Sequence, residues 1–251
     1  MSNPDKQGLM LNDERRRQHN ARQRRYYEMA LDKPNMQIND TPYVNRHVER
    51  MVRHAGLGPH QRILEVGAGL GKFSVPLLRR GLDLVCNDLS PVQLERLRAA
   101  APQPVPMIAC DVIDIAAHTD EKFDHVIGFF TLHHMTDLEA VFAATRCVLR
   151  PGAELSFCEP MGRNPLYYIQ IALTPGMSMS AERGIVNMSD RIVHAAMRHA
   201  GLVPLPSVSY GFAPPFVVNR AWGSKLEDAL NRRSWLSWAH AFVLFRARNP
   251  R

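Results

Sequence analysis

Residues 62–74, RILEVGAGLGKFS, set the tightest limit on what this chain can fold into. A short apolar run enters a turn with glycines at 67, 69 and 71, and a second apolar segment follows. Glycines at alternate positions let the backbone turn sharply and approach a ligand closely. A helix opening behind the turn aims free N–H groups and a partial positive charge at that ligand. Pro76 is tolerated only in a first helical turn, so regular helix is expected from about Phe73, with Gly81 closing it.

The surrounding chain keeps the same rhythm. Leu82–Cys86, Val105–Ala109, Phe123–Phe130 and Glu154–Cys158 read as further strands. Between them, Ser90-Pro91 with Gln93 and Thr136 with Glu139 read as capping boxes that open helices. Thr41-Pro42 starts an earlier helix that Gly56 ends, and Ser189 caps a late one that stops at Gly201. A final strand is expected from Trp235 to Phe245. Strands alternating with helices over short connections predict an α/β fold, a mostly parallel sheet with helices on both faces. Residues 1–40 read as a basic N-terminal arm. Residues 41–251 read as one domain with an insertion on the substrate side at about 160–190.

Charge and cysteine usage narrow the class. The chain carries 31 Lys+Arg against 24 Asp+Glu, a net charge of +7. Residues 1–60 hold eleven basic against seven acidic side chains, 61–200 thirteen against fifteen, and 201–251 seven against two. The positive excess therefore lies at the two ends, where it solubilises or attracts nucleic acid, anionic lipid or an acidic substrate. Cys86, Cys110, Cys147 and Cys158 stand singly, without metal-ligand spacing, and read as thiols of a reducing compartment. No metal is expected. With no apolar leader at the start and no run approaching a membrane span, the expected location is cytoplasmic.

Two acids follow the glycine turn at the ends of the next strands. Asp88, in LVCNDLS, is placed to accept ribose hydroxyls, and Asp111, in ACDVID, to reach an adenine amino group. Each also has a plainer reading, Asp88 as a helix cap and Asp111 as a loop carboxylate. The turn is G-x-G-x-G with Glu65 two residues upstream, not the G-x-G-x-x-G of dinucleotide sites. Here the sequence resembles the class I S-adenosylmethionine-dependent methyltransferases. The resemblance rests on Glu65-Val66-Gly67-Ala68-Gly69-Leu70-Gly71, on Asp88 and Asp111, on Phe123–Ile127 and on Leu149-Arg150-Pro151-Gly152. It covers roughly residues 40–160. It implies a doubly wound, seven-stranded, mostly parallel sheet with an antiparallel last strand. It implies S-adenosyl-L-methionine as cofactor, with the glycine turn at its methionine part and Asp88 on the ribose. Leu89 would then pack on the adenine, Asp111 and Val112 would meet its edge, and Phe129 and Phe130 would pass beside the methionine. Glu65 would support the turn or the cofactor's ammonium group, and Tyr27, beside Tyr26, would close over the site.

Methyl transfer to a hydroxyl needs a base, whereas a neutral amine needs only a lone pair. His133 and His134 follow the fourth strand and titrate near neutrality in solution, so either is a candidate base. The plainer reading is that they cap or pack beside the next helix. Glu159, ending the fifth strand, would orient an acceptor or anchor the loop. Phe-Thr-Leu-His-His stands where nucleic-acid amino methyltransferases carry Asp/Asn-Pro-Pro-aromatic, and no Pro-Cys nucleophile is present. The expected partner is a small-molecule acceptor and not nucleic acid. The apolar stretch NPLYYIQIAL with Met177, Met179 and Met188 would form a lid over it, or simply pack. Two other classes compete: a nicotinamide-dependent oxidoreductase, and a non-catalytic subunit binding RNA or an acidic protein through the basic ends. The sequence leaves the oligomeric state open.

Overall fold

The computed structural model describes residues 4–164, 168 and 183–250. Its strands are β1 (Arg62–Val66), β2 (Asp83–Asp88), β3 (Met107–Ala109), β4 (Phe123–Phe129), β5 (Leu149–Pro160), β6 (Val203–Tyr210) and β7 (Phe242–Arg248). They form one seven-stranded sheet in the order β3-β2-β1-β4-β5-β7-β6. The pairs within β1–β5 are parallel, and β7 runs antiparallel to both its neighbours. Strand order reverses between β1 and β4, which opens a crevice at their carboxyl ends.

Alternation within the strands builds two cores. Ile63, Leu84, Cys86, Ile127, Phe129 and Leu244 face helices α2 (Pro42–Ala55), α3 (Ser74–Leu78) and α4 (Pro91–Ala100). Leu64, Val85, Val126, Leu155, Phe157 and Phe245 face α5 (Leu138–Val148) and α6 (Asp190–His199). Both faces of the sheet are therefore covered, and the central strands are apolar at nearly every position. Helix α1 (Pro4–Glu28) carries few apolar residues and lies at the carboxyl end of the sheet. A short helix α7 (Pro215–Val218) and a longer one, α8 (Ala221–Asn231), fill the connection between β6 and β7.

Local signals hold with four adjustments. Thr41 Oγ1 accepts from Val44 N, and Gly56, with φ of +66°, ends α2 as expected. Ser90 Oγ accepts from Gln93 N, but the return bond of a capping box is absent because Ser90 N donates to Asp88. Asp137, not Thr136, caps α5, since its carboxylate accepts from Ala140 N and meets the positive helix end. Ser189 precedes α6 without a side-chain capping bond. The last strand is Phe242–Arg248 rather than Trp235–Phe245. Pairing with Glu154–Pro160 fixes its register, and residues 234–239 form a 3-10 turn beyond the sheet. Strand preference of aromatic residues depends on having such a partner.

Gly162 N bonds Met188 O at 3.0 Å, closing the base of the insertion, where Met161 and Met188 are buried. Most of the stretch read at 164–173, with Met177 and Met179, lies outside the described residues. Among the described residues no helix is long and apolar enough to cross a membrane.

Candidate cofactor and acceptor site

The crevice at the β1–β4 switch point is a cleft of about 210 Å³. Its floor is the glycine turn. Gly67 has φ of +71°, and a Cβ there would lie 2.2 Å from Thr131 Oγ1, so only glycine fits. Gly67 N and Ala68 N both bond Asn87 O, tying the turn to β2. Gly71 lies outside the lining; a Cβ there would meet Leu97 at 2.8 Å, so it lets the turn pack on α4. Glu65 is buried behind the turn, and that burial raises its pKa to about 7.

One wall is acidic. Asp88 accepts from Gly69 N through Oδ2 and from Ser90 N through Oδ1, both at 2.8 Å. Burial raises its pKa, and bonds from backbone N–H groups oppose that shift. Each oxygen keeps a further lone pair, so the cap and the ribose readings are compatible. Asp111 divides its oxygens. Oδ1 accepts from Ile113 N and caps the turn Val112–Ala117, while Oδ2 accepts from Arg16 Nη1 at 2.9 Å and Asn20 Nδ2 at 2.6 Å. Leu89 and Val112 line the same wall.

Helix α1 roofs the cleft. Arg16, Asn20, Gln23 and Tyr27 face it, at the spacing of one helical side. The Tyr27 hydroxyl lies 2.7 Å from His134 Nε2, His19 Nε2 lies 2.9 Å from His134 O, and Ser90 Oγ donates to Glu28.

The far wall is the turn after β4. Phe130 sits at φ of +54°, a conformation a bulky side chain rarely holds, and lines the cleft with Thr131 and His134. Glu159, with no exposed surface, holds that turn from beneath. Its Oε1 accepts from Thr131 N at 2.8 Å and Leu132 N at 2.7 Å, and its Oε2 lies 2.6 Å from His133 Nδ1.

The two histidines are thus divided: His134 faces the cleft, while His133 is buried against Glu159 and, like it, is not part of the lining. Phe129 is likewise withdrawn, stacked on Phe73 at 4.4 Å between centroids, and Phe130 takes the lining position. Sequence reasoning missed Arg16, Asn20, Gln93 and Thr131. The i, i+4, i+7, i+11 spacing of 16, 20, 23 and 27 was available, but a polar stripe carries no apolar periodicity to mark it. Gln93 Nε2 is buried beside Gly69 without a hydrogen-bond partner among the described residues, a donor facing the site with nothing to bind.

The profile of a methyltransferase domain family matches residues 64–157. An uncharacterized methyltransferase of Mycobacterium tuberculosis is 37% identical over 95 residues, 38% of each chain. A ubiquinone biosynthesis O-methyltransferase of Ruegeria pomeroyi is 29% identical over 160 residues, 61% of this chain and 64% of that one. The chain thus spans less than two thirds of the length of these curated relatives. Among solved structures, the N-methyltransferase NodS of Bradyrhizobium japonicum, in complex with S-adenosyl-L-homocysteine, superposes with a TM-score of 0.61. It is 16% identical, over 91% of this chain and 98% of that one, and shares the fold. Residues 64–157 thus match a methyltransferase domain family, and the seven-stranded order with its antiparallel β7 is the fold shared with NodS.

Proposed function

We propose that this chain is an enzyme that moves a methyl group from S-adenosyl-L-methionine to an oxygen or nitrogen of a small-molecule acceptor. One observation carries the reading: Gly67, Gly69, Asp88 and Asp111 line a single cleft at the switch point of the sheet. The buried, unpartnered Gln93 Nε2 supports it, as does a floor that a single Cβ at Gly67 would fill.

Asp88 would hold the ribose hydroxyls with the lone pairs that Gly69 N and Ser90 N leave free. Leu89 and Val112 would pack on the adenine, and Asp111 would take its amino group at Oδ1, which accepts only from Ile113 N, while Oδ2 holds α1. Glu65 would stiffen the turn from behind. The cofactor, when bound, supplies an activated methyl group, so the chain needs no nucleophile of its own. What remains is to position an acceptor and exclude water, and positioning can supply much of the rate. Helix α1 roofs the cleft against solvent. Phe130 and Thr131 shape the acceptor side. For a hydroxyl acceptor, His134 would take the proton at an imidazole nitrogen while Tyr27 fixes the ring. Glu159 and His133 would act as positioning residues.

Calorimetric titration with S-adenosyl-L-homocysteine tests the reading, with micromolar binding expected. No heat at millimolar ligand would end it. Asp88→Ala removes charge-assisted hydrogen bonds worth about 1.5–3 kcal/mol each, so binding should weaken at least about tenfold.

A further inference from the structure

All three tryptophans of the chain, Trp222, Trp235 and Trp238, lie within 17 residues of one another and are 63%, 71% and 68% exposed. Phe216, 73% exposed, and Leu226, 47% exposed, belong to the same connection between β6 and β7. Aromatic side chains this large are normally the first to be buried, and a cluster left in water marks an interaction surface.

Their spacing gives them common faces. On α8, Trp222, Lys225, Leu226 and Ala229 are all exposed at i, i+3, i+4 and i+7, opposite the buried Gly223 and Glu227. In the 3-10 turn Ser234–Ala239, Trp235 and Trp238 are three apart, which aligns them on one side. Basic residues are interleaved: Arg220, Lys225, Arg232 and Arg233 are exposed and make no ion pair among the described residues. The two acids of the segment are committed elsewhere. Glu227 is buried and accepts from Phe212 N and Ala213 N, and Asp228 pairs with Arg46. The surface thus combines indole rings, aliphatic side chains and unpaired cations, without a free anion.

We propose that this surface docks the protein on an anionic lipid bilayer. Tryptophans settle at the headgroup level because one end of the ring is apolar and the indole N–H is polar. Unpaired arginine and lysine beside them are drawn to acidic headgroups. A protein partner of matching shape would need acidic groups opposite four scattered cations, whereas an anionic bilayer supplies negative charge everywhere.

The position gives the docking a purpose. The segment leaves β6 at its carboxyl end and returns into β7, which is the end of the sheet that carries the cleft. It is also tied to the start of the insertion: Met161 N bonds Ala241 O, and Asn164 Nδ2 bonds Ala239 O and His240 O. Phe130 of the cleft packs edge-on against Phe242, where the segment ends. A bilayer held there would present an apolar, lipid-dissolved acceptor to the cleft without passage through water. That consequence rests on the proposed methyl transfer; the docking itself does not.

Because every tryptophan lies in the surface, intrinsic fluorescence of the wild-type protein reports on it alone. Without cofactor and at low salt, vesicles of phosphatidylcholine with phosphatidylglycerol should shift the emission to shorter wavelength and pull the protein down on sedimentation. Vesicles of phosphatidylcholine alone should do so less, and salt should release the protein. Arg232→Glu with Arg233→Glu should weaken sedimentation about tenfold or more. Replacing the three tryptophans by alanine should weaken it about a hundredfold. Both variants should keep the melting temperature and the affinity for S-adenosyl-L-homocysteine.

Unchanged emission and no sedimentation with the mixed vesicles would overturn the proposal. So would an emission shift that follows protein concentration without lipid, which would make the surface a contact between copies of the chain. Failure of homocysteine-ligand binding with vesicle binding intact would overturn the methyltransferase reading and leave the docking standing.

Discussion

Replacing Glu159 by alanine removes the one acceptor that serves two consecutive backbone N–H groups and a buried histidine ring. The site has no exposed surface, so water is not at hand to take over. Each orphaned buried donor costs about 1–3 kcal/mol, and Thr131 N and Leu132 N together therefore cost about 2–6. Phe130, the residue before Thr131, is held in its left-handed conformation by this anchored turn. Against a total stability of about 5–15 kcal/mol, Glu159→Ala should lose about 2–6. Glu159→Gln keeps an amide oxygen for the two N–H groups and should lose only about 1–2, as charge-assisted bonds become neutral ones. Urea unfolding of the wild type and both variants measures this directly. A loss under about 1 kcal/mol for alanine would refute the anchoring role. The glutamine variant should also bind S-adenosyl-L-homocysteine more weakly, since the turn it loosens carries Phe130, Thr131 and His134 into the cleft.

Other outcomes follow from single contacts. Gly67→Ala combines a positive φ with a clash against Thr131, and should cost about 2–4 kcal/mol in urea unfolding while abolishing ligand binding. Arg16→Ala cuts the tie between α1 and Asp111, so trypsin should cleave within residues 15–25 faster than in the wild type; unchanged cleavage would count against the roof. His47 is buried between Tyr210 and Phe130, and desolvation holds its pKa well below the ordinary value. The unfolded chain then takes up a proton before the folded one. The contribution of His47 should be constant above about pH 6.5 and fall as pH drops below it, by up to about 1.4 kcal/mol per unit, while Glu65 contributes the opposite slope in the same range. The difference in unfolding free energy between wild type and His47→Phe, measured against pH, should isolate that decline.

Much of this was legible in the sequence, for reasons that lie in particular residues. RILEV, LVCND and FDHVIGF are apolar on both faces because helices cover both, so their pattern announces a parallel sheet. The glycines at 67 and 69 and the acids at 88 and 111 were readable because each is required by backbone geometry or charge at a strand end. Less legible was anything decided by distant pairing. Trp235 and Trp238 carry strand propensity, but on the side away from β4 the partner of β5 is residues 242–248, which leaves them outside the sheet. The division between His133 and His134 depends on the carboxylate of Glu159, twenty-six residues beyond His133. The roof formed by α1 rests on polar contacts to Asp111, His134 and Ser90, and a polar helix gives no sign of the face it turns inward.

A crystal structure of the protein with S-adenosyl-L-homocysteine tests the central claim most directly. The account predicts ribose hydroxyls within about 3 Å of Asp88, the adenine between Leu89 and Val112, and the amino group at Asp111 beneath α1. A ligand bound elsewhere, or one in the cleft with Asp88 contacting only Gly69 and Ser90, would contradict it.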